Sequence, residues 1–133
     1  MKMIIGGAYQ GKLGYAVKLT GYKKEDFVDG ACCGLNEIYQ AKGIVNFHEY
    51  VRRYLETSED WSGLAEHLAE KNPELVIVSN ELGYGVVPCE PTDRRWREAV
   101  GRICTELAKN AAQVIRVVCG IGMILKDETD SND

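Results

Sequence analysis

No apolar run in the chain approaches the ~20 residues that a membrane-spanning helix needs, so no span is expected. Positive charge is not in excess either. The formal net charge is −4, and without a basic face nucleic acid is not expected as a partner. Cysteine is present without a pattern: Cys32, Cys33, Cys89, Cys104 and Cys119 include no CxxC pair and no Cys/His set at zinc spacing. An odd, unpatterned set reads as reduced thiols in a cytosolic protein, with Cys119 expected in the core because its neighbours are apolar. The adjacent Cys32 and Cys33 as a redox pair is the lesser reading. The opening MKMIIGGAYQ has one lysine and then glycines, which is not the make-up of a signal peptide. Histidine is scarce, with only His48 and His67.

What is present fits one domain. The chain has 133 residues, 45% of them apolar, enough for a core. One domain is expected over 1–126, followed by an acidic, disordered tail over 127–133. MKMIIGG reads as a buried strand running into a turn. GKLGYAVKLTG places Leu13, Ala16, Val17 and Leu19 near helical spacing, with Gly21 as the stop. FVDGACC is either a second buried strand ending in a carboxylate or a hairpin with an Asp-Gly turn; the helical look of its flanks favours the strand. NFHEYVRRYLE is an amphipathic helix through Phe47, Tyr50, Val51, Tyr54 and Leu55, with Asn46 as cap. WSGLAEHLAEKN is another. ELVIVSN is a buried strand and ELGYGVVPCEP a loop. DRRWREAVGRICTELAKNA is a long helix turning Trp96, Val100, Ile103 and Leu107 inward, capped by Thr92 or Asp93. QVIRVVCG is a strand, and GMILK a short last one. Apolar strands alternating with helices predict a mainly parallel sheet flanked by helices, a three-layer α/β fold.

The stretch GGAYQGKL carries the chemistry. Gly6, Gly11 and Lys12 meet the phosphate-loop pattern G-x-x-x-x-G-K-[ST], and Leu13 stands where the hydroxyl belongs. The loop follows a strand and opens a helix, the context in which backbone N–H groups and the helix dipole hold phosphate. The bland alternative is a glycine turn that packs a strand on a helix. Asp29, at the end of the second strand, is placed to hold a metal ion, or is a turn aspartate or a helix cap. Glu81 follows the third predicted strand and would face the same crevice, since ligands of open α/β sheets bind beyond the carboxyl ends of the strands. His48 lies on the rim of an apolar stripe, as a nucleophile or base or as a packing residue. His67 reads as exposed. Arg94, Arg95, Arg97 and Arg102 crowd one helix, mostly as a solvated face, with one or two able to clamp an anion.

The second half also resembles a family. VSNELGYGVVP, RRWREAVGRI and VVCGIGMILK, in that order, are similar to the bifunctional adenosylcobinamide kinase/adenosylcobinamide-phosphate guanylyltransferase family of cobalamin biosynthesis. IIGGAYQGK resembles its phosphate loop and FVDGACC its second nucleotide-site strand. The resemblance implies a P-loop NTPase-like fold and two activities. The first is transfer of a γ-phosphate to the hydroxyl of adenosylcobinamide. The second is attack of a histidine on the α-phosphate of GTP, followed by passage of GMP to the cobinamide phosphate. It implies GTP or ATP with Mg²⁺, a corrinoid substrate, a cytoplasmic location and a homo-oligomer, by analogy a trimer. Gly6, Gly7, Ala8, Tyr9, Gln10, Gly11, Lys12, Leu13 and Glu81 would line the nucleotide site, Asp29 would bind the metal, and Lys12, Asp29 and His48 are the catalytic candidates.

Two departures bear on that chemistry. Leu13 removes the metal-binding hydroxyl. The segment between Lys12 and Asp29 is shorter than the family's, which carries there a further strand and the histidine that takes GMP; His48 comes after Asp29 and does not match that residue by position. The kinase step is therefore the favoured activity. The alternative is a catalytically degenerate sensor of nucleotide or corrinoid, or a partner subunit.

Overall fold

The computed structural model of the chain describes residues 1–82 and 91–129. Six strands form one sheet in the order β2-β3-β4-β1-β5-β6. In chain order the elements are β1 (Lys2–Gly6), α1 (Lys12–Thr20), β2 (Phe27–Asp29), β3 (Gly43–Val45), α2 (Phe47–Thr57), α3 (Leu64–Lys71), β4 (Val76–Asn80), α4 (Pro91–Asn110), β5 (Gln113–Val118) and β6 (Ile121–Asp127). β1 lies parallel between β4 and β5. β2 and β3 extend the parallel run, and among the described strands only β6 is antiparallel.

Period-two alternation along the strands sorts the core into two layers. Met3, Ile77 and Val114 face α2, α3 and α4, where Phe47, Tyr50, Leu68, Ile103 and Leu107 close over them. Ile4, Val78, Ile115 and Val117 point the other way and pack with Ala16 of α1. A buried Leu or Ile contributes about 1.5–3 kcal/mol, so both faces gain from being covered. The outcome is the expected P-loop NTPase-like arrangement: a mostly parallel sheet between helices.

Several local expectations need correction. FVDGACC is a strand only over Phe27–Asp29, and it sits at the sheet edge, parallel to β3; the hairpin alternative falls with that pairing. β3 was not expected, because GIV is too short to show a period. Asn46 does precede α2, but its side chain makes no cap hydrogen bond. α4 starts at Pro91, which suits a first helical position because proline lacks the N–H that would go unpaired there; Thr92 and Asp93 thus lie inside the first turn. Cys119 is exposed, at φ 52 in the turn between β5 and β6, not in the core. β6 runs through Asp127, and Glu128 N–H donates to Ala112 O, so pairing continues into the stretch expected to fray. The loop expected over ELGYGVVPCEP falls largely on residues 83–90, with Cys89, which lie outside the described residues, as do residues 130–133. Among the described residues, no helix is long and apolar enough to cross a membrane.

Candidate functional site

The strands β1, β2, β3 and β4 end on the same edge of the sheet, and four candidate segments leave from it. β1 delivers the glycine loop. Gly6 is backed against β5 so closely that a Cβ there would lie 2.5 Å from Val117 O, at φ +157; only glycine allows the loop to begin there. Tyr9 at the tip is left-handed, φ 60, and fully exposed. The loop then enters α1, whose first-turn N–H groups have no intrahelical partners. A cavity of ≈ 450 Å³ opens against this loop, lined by residues 8–14 and by Val45, Asn46, Val78 and Asn80.

Lys12 is half-buried at the rim, and its Nζ donates to Gly7 O at 2.6 Å. Burial lowers its pKa, and the nearby Glu81 carboxylate pulls the other way. Glu81 N–H donates to Gly6 O at 2.8 Å, which ties the end of β4 to the start of the loop. The Glu81 side chain does not line the cavity. It pairs with Arg116 of β5, Nε to Oε2 at 2.8 Å. Nothing in the sequence marked Arg116, because the pair forms only when β5 and β4 flank β1.

Asp29 sits at the end of β2, and its Oδ1 accepts from Asn46 Nδ2 at 3.0 Å and from Ala31 N–H at 2.9 Å. Those two hydrogen bonds, the Asn46 one first, hold the carboxyl below its usual range. Lys12 lines the cavity; Asp29 does not, and is joined to its wall through Asn46. The sequence reading makes Asn46 a helix cap and does not find this role, because β3, which ends at Val45 just before Asn46, is too short to show a period and its pairing beside Asp29 of β2 is a tertiary contact.

His48 is drawn inward, 5% exposed. Its Nδ1 accepts the Asn80 N–H at 3.1 Å, and its backbone carbonyl accepts Trp96 Nε1–H at 2.7 Å. Burial lowers the ring's pKa, with Glu49 opposing, so the 4.0 Å approach of Nε2 to Glu49 is not an ion pair at neutral pH. In the neutral ring Nε2 carries the proton, and the lone pair on Nδ1 is engaged by Asn80. The histidine joins α2, β4 and α4. His67 is exposed, its ring tilted against that of Tyr39 with centroids 5.1 Å apart.

The arginines of α4 disperse. Arg102 pairs with Glu98 at 3.5 Å in solvent. Arg95 donates to Glu59 O, and Arg94 is exposed. Arg97 is half-buried, and among the described residues its Nε has no hydrogen-bond partner. Arg52 of α2 stacks on Trp96 at 3.8 Å. Cys33 is buried and Cys32 exposed. Among the described residues no three His, Cys, Asp or Glu side chains form a metal-binding group.

Comparison with known proteins bears on the second half. A family model described as cobinamide kinase / cobinamide phosphate guanyltransferase matches residues 35–125. The chain belongs to that family. Among curated relatives, the bifunctional adenosylcobalamin biosynthesis protein CobU of Escherichia coli (strain K12) is 42% identical over 53 residues, 40% of this chain and 29% of that protein. CobU of Salmonella typhimurium matches at the same identity over the same length. CobP of Pseudomonas aeruginosa is 37% identical over 65 residues, 49% of this chain and 38% of the relative. The matches therefore span well under half the length of these relatives. Residues 6–13 and Asp29 precede the family match, and their reading rests on the geometry above.

Proposed function

We propose that the chain binds a nucleoside triphosphate on the loop of residues 6–13 and takes part in corrinoid phosphoryl transfer, with the kinase step of the cobinamide kinase family as its favoured activity. The observation that carries this is the cavity between the glycine loop and Asn46/Asn80, with Lys12 on its rim. The loop N–H groups and the α1 N-terminus bind phosphate oxygens. Lys12 leaves Gly7 O and meets the outer phosphates. Phosphoryl transfer demands mostly positioning and charge stabilisation, which this arrangement supplies. Glu81, fixed by Gly6 O and Arg116, keeps its place beside Lys12.

The donor set suits Mg²⁺ carried in on the triphosphate. Leu13 offers no oxygen, and Asp29 offers one carboxylate with Oδ2 open; Mg²⁺ commonly takes one or two carboxylates together with substrate phosphates and water. When bound, the ion neutralises phosphate charge.

A second reading, a nucleotide or corrinoid sensor or partner subunit without turnover, is favoured by two observations. Leu13 packs against the α1-side core in place of the hydroxyl. The Nδ1 lone pair of His48 is engaged by Asn80, so neither ring nitrogen offers a free lone pair to a phosphorus. We therefore give His48 a positioning role and do not route guanylyl transfer through it. Assembly with further copies remains part of the proposal, supported by the apolar outer strand β6, where Ile121 and Ile124 are 69% and 60% exposed; light scattering tests it.

The deciding experiment is calorimetric titration with GTP and ATP, with and without Mg²⁺, followed by incubation with adenosylcobinamide and mass spectrometry. Binding with a phosphorylated product establishes the kinase. Binding without product establishes the sensor. Absence of binding overturns both.

A further inference from the structure

Asn46 adopts φ 55 and ψ 43, a left-handed conformation that residues other than glycine seldom take and that asparagine tolerates better than most. A close approach accompanies this conformation. Gly30 packs so tightly on the Asn46 carbonyl that a Cβ at Gly30 would lie 2.3 Å from Asn46 O. A residue in the position before a helix ordinarily turns its side chain back onto the first-turn N–H groups. Asn46 does not. Its backbone O takes the Glu49 and Tyr50 N–H groups, and its side chain reaches across to β2, where Nδ2 donates to Asp29 Oδ1. Ala31 N–H donates to the same oxygen. Among the described residues nothing donates to Asp29 Oδ2. Asn46 also lines the cavity, as Lys12 does.

A residue held in a sparsely populated conformation that forgoes its local hydrogen bond for a distant carboxylate, on the wall of a cavity, has the marks of a functional position. We propose that Asn46 is a positioning residue of the nucleotide site: its carboxamide, with the Ala31 N–H, engages Oδ1 of Asp29 and so directs Oδ2 to the cation that accompanies the triphosphate. The inference rests on the nucleotide reading above. It gives Asp29 a fixed direction at a site where Leu13 supplies no second oxygen, much as outer-shell hydrogen bonds orient metal-binding carboxylates elsewhere.

The test uses Asn46→Gly, which keeps the left-handed backbone at no steric cost and removes the carboxamide. An unchanged melting temperature shows that the backbone tolerates it. ATP and GTP affinities are measured in EDTA and in Mg²⁺, and Mn²⁺ with ATP is followed by electron paramagnetic resonance. The expected result is wild-type affinity in EDTA, a loss of about tenfold or more in the Mg²⁺-dependent part, and an altered Mn²⁺ spectrum. Asp29→Asn should lose the same part, and the double variant should lose little more, because two residues acting as a unit are not additive. Wild-type Mg²⁺ dependence in Asn46→Gly, or an equal loss with and without the ion, overturns the proposal. So does a wild type that binds nucleotide indifferently to Mg²⁺, which leaves the nucleotide reading standing. A wild type that binds no nucleotide at all overturns that reading too, and the two failures are told apart in the unmodified protein.

Discussion

Gln10 fastens the glycine loop to the turn between β5 and β6: its side-chain Oε1 accepts the Cys119 N–H at 2.6 Å, and its backbone O accepts the Gly120 N–H at 2.8 Å. Cys119 and Gly120 are both left-handed, φ 52 and 76, which makes the β5–β6 connection a tight two-residue hairpin turn. Gln10→Ala removes one of the two bonds. A net loss of about 1 kcal/mol is expected from a single hydrogen bond. Amide exchange at Cys119 should accelerate, and nucleotide affinity should fall several-fold. Exchange as slow as in the wild type would show that the backbone bond alone holds the loop.

Lys12→Ala leaves the loop without its cation. A charged hydrogen bond is worth about 1.5–3 kcal/mol, so nucleotide affinity should fall by roughly one to two orders of magnitude, while the melting temperature hardly moves, because Lys12 is only half-buried. Calorimetry reads the first and thermal unfolding the second. Unchanged affinity would sink the phosphate-loop assignment.

Leu13→Ser restores the hydroxyl that the loop pattern calls for. The side chain is partly packed against the Ile4–Val117 layer, so truncation should cost stability, about 1–3 kcal/mol for a half-buried leucine. In exchange, the Mg²⁺-dependent part of nucleotide affinity should rise. A rise in affinity that is the same in EDTA would mean that the hydroxyl binds phosphate directly.

Stability should depend on His48. Burial lowers the folded-state pKa below the ordinary 6.5, opposed by Glu49 and Asp29 and assisted by Lys12 and Arg52. Below 6.5 the unfolded chain then binds the proton more readily than the folded one, so stability present at neutral pH is lost as pH falls through that value. Protonation also costs the Asn80 hydrogen bond. The melting temperature should drop on acidification from neutrality to about pH 5.5. His48→Gln keeps an acceptor for Asn80 and should flatten this dependence; an equally steep curve in that variant would place its origin elsewhere.

Gly43 shows what β3 depends on. A Cβ there would lie 2.4 Å from the Phe27 ring, so Gly43→Ala should destabilise by about 1–3 kcal/mol through overpacking. Adding Phe27→Leu should recover part of that. Denaturant titration of the single and double variants measures both.

Much of the architecture was legible in the chain because long periodic segments announce themselves. α2 and α4 carry apolar residues at helical spacing, β1, β4 and β5 are apolar runs with turns or polar residues beside them, and Gly21 stops α1 by taking φ 75. The glycine loop was legible for a covalent reason: Gly6, Gly11 and Lys12 are neighbours in sequence, so their spacing is local. β3 was not legible, since three residues between Lys42 and Asn46 show no period, and Gly43–Val45 is a strand only because β2 and β4 pair on either side. Cys119 looked like core because its neighbours in sequence are apolar, yet the hairpin turn pushes it into solvent.

The sequence by itself determined the layers, the parallel core of the sheet and the loop at the end of β1, because these follow from periodicity and from backbone freedoms that single residues carry. Only the tertiary structure decided which polar groups meet. Asn46 meets Asp29 because β2 and β3 end side by side. Arg116 meets Glu81 because β5 and β4 flank β1. His48 is engaged by Asn80 because α4 presses α2 against β4 through Trp96. Each pair joins residues far apart in sequence, and a contact of that kind exists only once the strands have chosen their neighbours.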